Sequence, residues 1–275
     1  MARTARLYAA TTRRVLPRGG VSARRLGSDD RLVFVVGSPR SGTTFLGDAV
    51  GGVQGFVDLG EVAPLKAAIP ELVTREEAVA AARIRQVLDR VRLLGLVTGL
   101  RAVEQTPETA FVLGAALRAY PHALGLHVVR DGRDVVCSLL ERGWLRTDRA
   151  GRDDASLPYG ARARFWVEPE RREEFGHASE ATRAAWAWRA YVSAARASGD
   201  ERTLELRYEA LAGKREATAD RIARHLGISH QLVLARLGAA HAASIGRFRT
   251  DLTPQRLADV EREAGPLLDQ LGYRS

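Results

Sequence analysis

The chain has 275 residues, 45% of them apolar, and a formal net charge of +9. That length suits one large α/β domain or two small ones, and no apolar run approaches the ~18 residues that a membrane span needs. A single cysteine, Cys137, excludes an internal disulfide framework and fits a reducing compartment, so a cytoplasmic location is expected.

Residues 1–30 hold seven arginines against Asp29 and Asp30, more than half of the net positive charge. They lack the apolar segment of a secretory signal and read as a flexible basic arm. Weak contact with an anionic membrane surface is the partner that its charge suggests. We read residues 31–275 as a single domain.

"RLVFVV" at 31–36 is a continuous apolar run, the pattern of a strand buried on both faces. A glycine- and hydroxyl-rich loop follows it, and a helix begins after Gly42. "GFVDL" reads as a second strand, and "REEAVAAARIRQVLDRVRLL" as a long amphipathic helix. "LRAVEQ" is a third strand, with Pro107 suited to the first turn of the helix after it. "LGLHVV" at 124–129 is a fourth strand, in which His127 is expected in the core. It runs directly into a helix, "RDGRDVVCSLLERG", that stops at Gly143 and holds Cys137 as a buried small residue. Asp131 and Asp134 are placed to cap this helix or to orient its arginines.

An insertion at about 144–183 then carries the aromatics Trp144, Tyr159, Phe165 and Trp166, which line a pocket or pack its lid. From Arg146 to Arg183 eight arginines meet eight acids, a mixed surface that argues against a nucleic-acid partner. A helix around "ATRAAWAWRAYVSAAR", a fifth strand "RTLELRY" and a mostly helical remainder complete the chain. The fold class expected is α/β: a P-loop-like parallel sheet of about five strands, flanked by helices on both faces.

Ligands of parallel sheets sit beyond the carboxyl ends of the strands, and two such corners are chemically loaded. In the first, Gly37 to Thr44, glycines expose backbone N–H groups at a helix start. Ser38, Ser41, Thr43 and Thr44 add hydroxyls, and Arg40 adds a charge, which together make an oxyanion cradle. Gly37 and Gly42 have the spacing of a nucleoside-triphosphate P-loop, but Thr43 stands where its lysine belongs. Arg130 ends the fourth strand where an acid for Mg²⁺ would be needed. Neither that corner nor the six scattered histidines offer a metal set. In the second corner Arg130 presents a planar fork suited to phosphate, and Ser138 adds a donor two helical turns on. Two anion sites without a metal suggest a nucleotide phosphorylated at two places.

The segments "GSPRSGTTFL", "VEQTP", "HVVRDGRDVVCSL", "LRYEAL" and "SIGRFRTDLTPQRLADVEREAGPLLDQLGY" follow the order seen in sulfotransferases that use 3′-phosphoadenosine 5′-phosphosulfate (PAPS). The resemblance spans residues 31 to 273 and leans toward the bacterial, tyrosylprotein and carbohydrate branches. It implies that Ser38, Arg40, Ser41, Gly42, Thr43 and Thr44 hold the 5′-phosphosulfate, with Arg40 stabilising the leaving phosphate. Arg130 and Ser138 would hold the 3′-phosphate, Tyr208 would lie near the adenine, and Ser244, Arg247 and Arg249 would close over the nucleotide. The histidine base of cytosolic members is absent from "VEQTP", and Gln105 replaces their lysine. Glu61, twenty-one residues after Arg40, has a spacing that resembles the glutamate base of tyrosylprotein sulfotransferases. Glu104 is the alternative base. The acceptor implied is an unidentified hydroxyl compound, a carbohydrate, a lipid or a small secondary metabolite, and the insertion at about 144–183 would lie on the acceptor side. A nucleotide kinase and a non-catalytic nucleotide-binding protein remain open alternatives on the residues alone.

Overall fold

The structure, a computed structural model, describes residues 32–94, 100–146, 151–152, 158–159, 164–238 and 242–274. The predicted basic arm and the side chain of Tyr159 lie outside the described residues. Five parallel strands form the sheet: β1 (Val33–Gly37), β2 (Phe56–Gly60), β3 (Arg101–Glu104), β4 (Leu124–Val129) and, after a two-residue ladder of β5 (Gly151–Arg152) and β6 (Pro158–Tyr159), β7 (Thr203–Arg207). Their spatial order is β2-β3-β1-β4-β7.

Both faces of the sheet are covered, which is why the strands read as unbroken apolar runs. Phe34 and Val36 of β1 join one core with Leu113, Tyr120, Trp186 and Trp188, while Val33 and Val35 join a second with Leu46, Val50, Leu126 and Ile222. The helices supplying these faces include α1 (Thr43–Gly51), α2 (Ala63–Leu72), α3 (Glu77–Leu94), α4 (Leu113–Ala119), α5 (Gly132–Arg142), α6 (Arg172–His177) and α7 (Glu180–Ser198). Pro107 opens a 3₁₀ turn, Pro107–Val112, before α4 begins, so the helix expected there is tighter and shorter at its start. Within the predicted insertion, Trp144 and Trp166 are buried core residues. Phe165 is part-buried and packs edge-on to Phe111 at 5.2 Å, so these rings serve the core first. His127 is buried, as expected, with Nδ1 3.4 Å from the Glu205 carboxylate. Among the described residues no helix is long and apolar enough to cross a membrane.

The strand order explains where a ligand can sit. The chain leaves β1 toward the β2 edge and leaves β4 toward the β7 edge, so the connections diverge between these two adjacent strands. Such a switch point opens a crevice at the strands' carboxyl ends. Gly37, the last residue of β1, sits at φ 155°, and a Cβ there would lie 2.4 Å from the carbonyl oxygen of Val128. Gly37→Ala is therefore expected to lower unfolding stability by roughly 2 kcal/mol or more in urea titrations, because the strand pair itself must move apart.

Candidate functional site

The loop after β1 turns through two residues with positive φ. Arg40 sits at φ 72°, the one described non-glycine residue with positive φ, and Gly42 follows at φ 99°. Strain of this kind persists where the surroundings over-determine the backbone. At Gly42 the surroundings are the Tyr208 ring: a Cβ there would meet Cδ2 at 2.5 Å. Gly42 is the N-cap of α1 and provides no side-chain cap, so the first N–H groups of that helix keep their capacity for an anion. Ser38 and Ser41 are fully buried. Ser38 donates to the Pro39 carbonyl at 3.2 Å, whereas the Ser41 hydroxyl has no hydrogen-bond partner among the described residues.

The corner after β4 is built around Arg130. Its backbone carbonyl accepts from Trp188 Nε1 of α7 at 3.0 Å. Its guanidinium donates to the Arg40 carbonyl at 3.2 Å and to the Ser244 carbonyl, and lies 4.7 Å above the Tyr208 ring. Its Nε is buried without a partner. Asp131 caps α5 by accepting from the Arg133 amide at 2.9 Å, as expected. Asp134 does something different. It accepts from the amides of Gly246 and Phe248 at 2.7 and 3.1 Å and so pins the late loop to α5.

These corners enclose a cleft of ≈ 330 Å³. Its walls include the predicted residues Arg40, Gly42, Thr43, Thr44, Arg130, Ser138, Tyr208, Ser244 and Arg247. Arg40 Nε donates to Ser138 Oγ across it at 3.0 Å. Two features were not legible beforehand. Glu141 also lines the cleft, and it holds the guanidinium of Arg247 in a fork that Asp251 completes. Arg249 is exposed, stacks 4.7 Å from the Phe248 ring and does not line the cleft. Ser38 and Ser41 are loop residues with buried side chains, and neither they nor Glu61 line the cleft.

Glu61 follows β2 directly, and Gly60 pairs in register with Glu104 of β3, which brings two carboxyls together. Their surroundings differ sharply. Glu104 is fully buried. Thr106 donates its amide to Oε1 at 2.7 Å, and the Thr109 hydroxyl lies 3.0 Å from Oε2. Burial pushes its pKa up to about 8, with the nearby Glu61 charge adding in the same direction. Glu61 is part-exposed and accepts from Lys66 Nζ at 2.7 Å. In the folded chain Glu104 keeps a proton that the unfolded chain gives up above its ordinary pKa of 4.5. Stability is expected to fall as pH rises from 4.5 toward 8 and to level off above it. Glu104→Gln should flatten that slope in urea titrations repeated across this range.

Sequence and structure comparisons bear on the identity of this fold and cleft. A profile described as "Sulfotransferase family" matches residues 65–231, more than half of the chain, beginning after the first loop and including Arg130, Ser138 and Tyr208. Among curated proteins none matches significantly. Solved structures with the same fold include the sulfotransferase domain from the curacin biosynthetic pathway (16% identity, TM-score 0.54, 86% of this chain and 97% of that one). A mouse sulfotransferase complexed with PAP is similar (13%, 0.54, 94% and 91%), as is a sulfotransferase from Alicyclobacillus acidocaldarius (16%, 0.51, 89% and 96%). With the profile spanning most of the sheet and its covering helices, this chain belongs to the sulfotransferase family, whose enzymes take a sulfuryl group from PAPS.

Proposed function

We propose that the cleft between β1 and β4 holds PAPS and that Glu61 accepts the proton of an acceptor hydroxyl as its oxygen bonds to sulfur. The acceptor class we propose is a carbohydrate, a lipid or a small secondary metabolite. The observation that carries the reading is the convergence of two arginines and three hydroxyl side chains, from both corners, on one cleft at the switch point. Fixed cations and hydroxyl donors converging in this way are what a bound anion requires. Arg40 and Arg130 supply fixed positive charge, and Thr43, Thr44 and Ser138 supply hydroxyls. Tyr208 lines the same cleft and is the aromatic side chain we assign to the neighbourhood of the purine.

In this reading the acceptor oxygen bonds to sulfur while the bond from sulfur to the bridging oxygen of PAPS breaks. Arg40 stabilises the charge that collects on the departing phosphate, and the acceptor proton passes to Glu61. Arginine remains protonated near neutral pH, so Arg40 serves as an electrostatic clamp and transfers no proton. Glu104 is the weaker candidate for the base, because a carboxyl held protonated to about pH 8 has no charge with which to take a proton at neutrality. Glu61, beside the Lys66 ammonium, is the carboxylate of the two.

Calorimetry is expected to show PAP binding without Mg²⁺, and Arg130→Met should weaken it by about tenfold or more through loss of a charged donor. Binding of ATP only with metal, and none of PAP, would overturn the donor assignment. Incubation with PAPS and metabolite extract should transfer one SO₃ unit, read by mass spectrometry. On the acceptor so found, Glu61→Gln is expected to cut turnover by about 10²–10⁴-fold with PAP affinity unchanged. Undiminished turnover would move the base elsewhere.

A further inference from the structure

Lys66 is the single polar residue in "VAPLKAAI", residues 62–69, on a helix that buries Leu65, Ile69 and Leu72. Its side chain is 6% exposed. An ammonium in that position persists only if it is paired. Its Nζ lies 2.7 Å from Glu61 Oε2 on the outer side and 3.4 Å from Glu108 Oε2 on the inner side. Glu108 is 2% exposed and accepts from the Tyr191 hydroxyl of α7 at 3.0 Å through its other oxygen. A chain of contacts thus runs from the α7 helix through Glu108 and Lys66 to Glu61, the member that reaches solvent, at 24% exposure.

We propose that Lys66 is a positioning residue for the carboxylate of Glu61: an ammonium anchored from the interior by Glu108 and Tyr191 that keeps Glu61 ionised and fixed in place. Its meaning for catalysis rests on Glu61 being the base. The groups around Glu61 show why the ammonium matters. Lys66 faces it from α2, Glu104 from β3, and Glu108 lies behind the ammonium on the 3₁₀ turn. With Lys66 neutralised, Glu61 would stand among two further carboxyls and hold its own proton to higher pH. The anchor also fixes direction: the ammonium is held from behind by Glu108, so Glu61 Oε2 is drawn to one side of it.

The test follows the carboxyl carbon of Glu61 by ¹³C NMR in glutamate-labelled protein, assigned with E61Q. Lys66→Met is expected to raise the Glu61 titration midpoint by at least about one pH unit. Because that variant strands Glu108 inside the protein, the comparison is repeated as K66M/E108Q against E108Q, in which the stranded charge is gone and Tyr191 keeps an acceptor. A midpoint that stays put in both backgrounds overturns the proposal, since a purely structural lysine would leave it unmoved. PAP affinity, measured on the same samples, is expected to stay within about twofold of wild type, the donor cleft being elsewhere. Failure of the wild-type protein to bind PAP would sink the donor reading instead, and the titration would still decide the role of Lys66.

Discussion

The guanidinium of Arg130 joins parts of the chain that are otherwise independent. It emerges from the end of β4, bonds the carbonyl of Arg40 in the first loop and that of Ser244 in the late loop, and lies over Tyr208 after β7. Four segments therefore meet at one buried charge. Hydrogen bonds from a charged group contribute about 1.5–3 kcal/mol each, which is enough to hold the loops in register. The anchor behind it is equally specific, a Trp188 indole donating to the Arg130 carbonyl. Together these contacts shape the cleft.

The carboxyl ends of the strands divide their electrostatics between two regions. Beyond β1 and β4 the walls are cationic and rich in hydroxyls, with Arg247 held in check by Glu141 and Asp251. Beyond β2 and β3 two glutamates sit as neighbours in different surroundings. Burial holds the proton of Glu104 up to about pH 8, while Glu61 has the Lys66 ammonium beside it. Neighbouring groups whose environments push their protonation apart are the arrangement that acid–base chemistry needs. The family activity is sulfuryl transfer, and the function proposed above assigns its donor to the first region and its proton to the second.

Much of this was readable residue by residue. "RLVFVV" and "LGLHVV" are strands because only a doubly covered sheet absorbs runs with no polar face, and both run where expected. Gly143 ends α5 in the left-handed conformation, as a glycine after a helix should. Arg40, Arg130, Ser138 and Tyr208 share one cleft although up to 168 positions separate them. The signals that went unread were weaker. Lys66 was marked only by being a charge in an apolar stretch, and its partner Glu108 sits beyond a proline that suggested an ordinary helix start. Asp134 looks like a local capping residue, yet its oxygens serve a loop 112 residues away. Trp144 and Trp166 have the composition of an acceptor wall but the burial of a core.

The sequence by itself determined the alternation of strands and helices, the two glycine- and arginine-bearing corners and the family resemblance. These depend on periodicity, turn chemistry and short-range order, which are local properties of the chain. Only the tertiary structure decided which carboxyl stays neutral, which arginine is already committed to acids and which lysine stands behind Glu61. Those outcomes depend on desolvation and on charges brought within a few ångströms by distant segments, and no spacing along the chain encodes them.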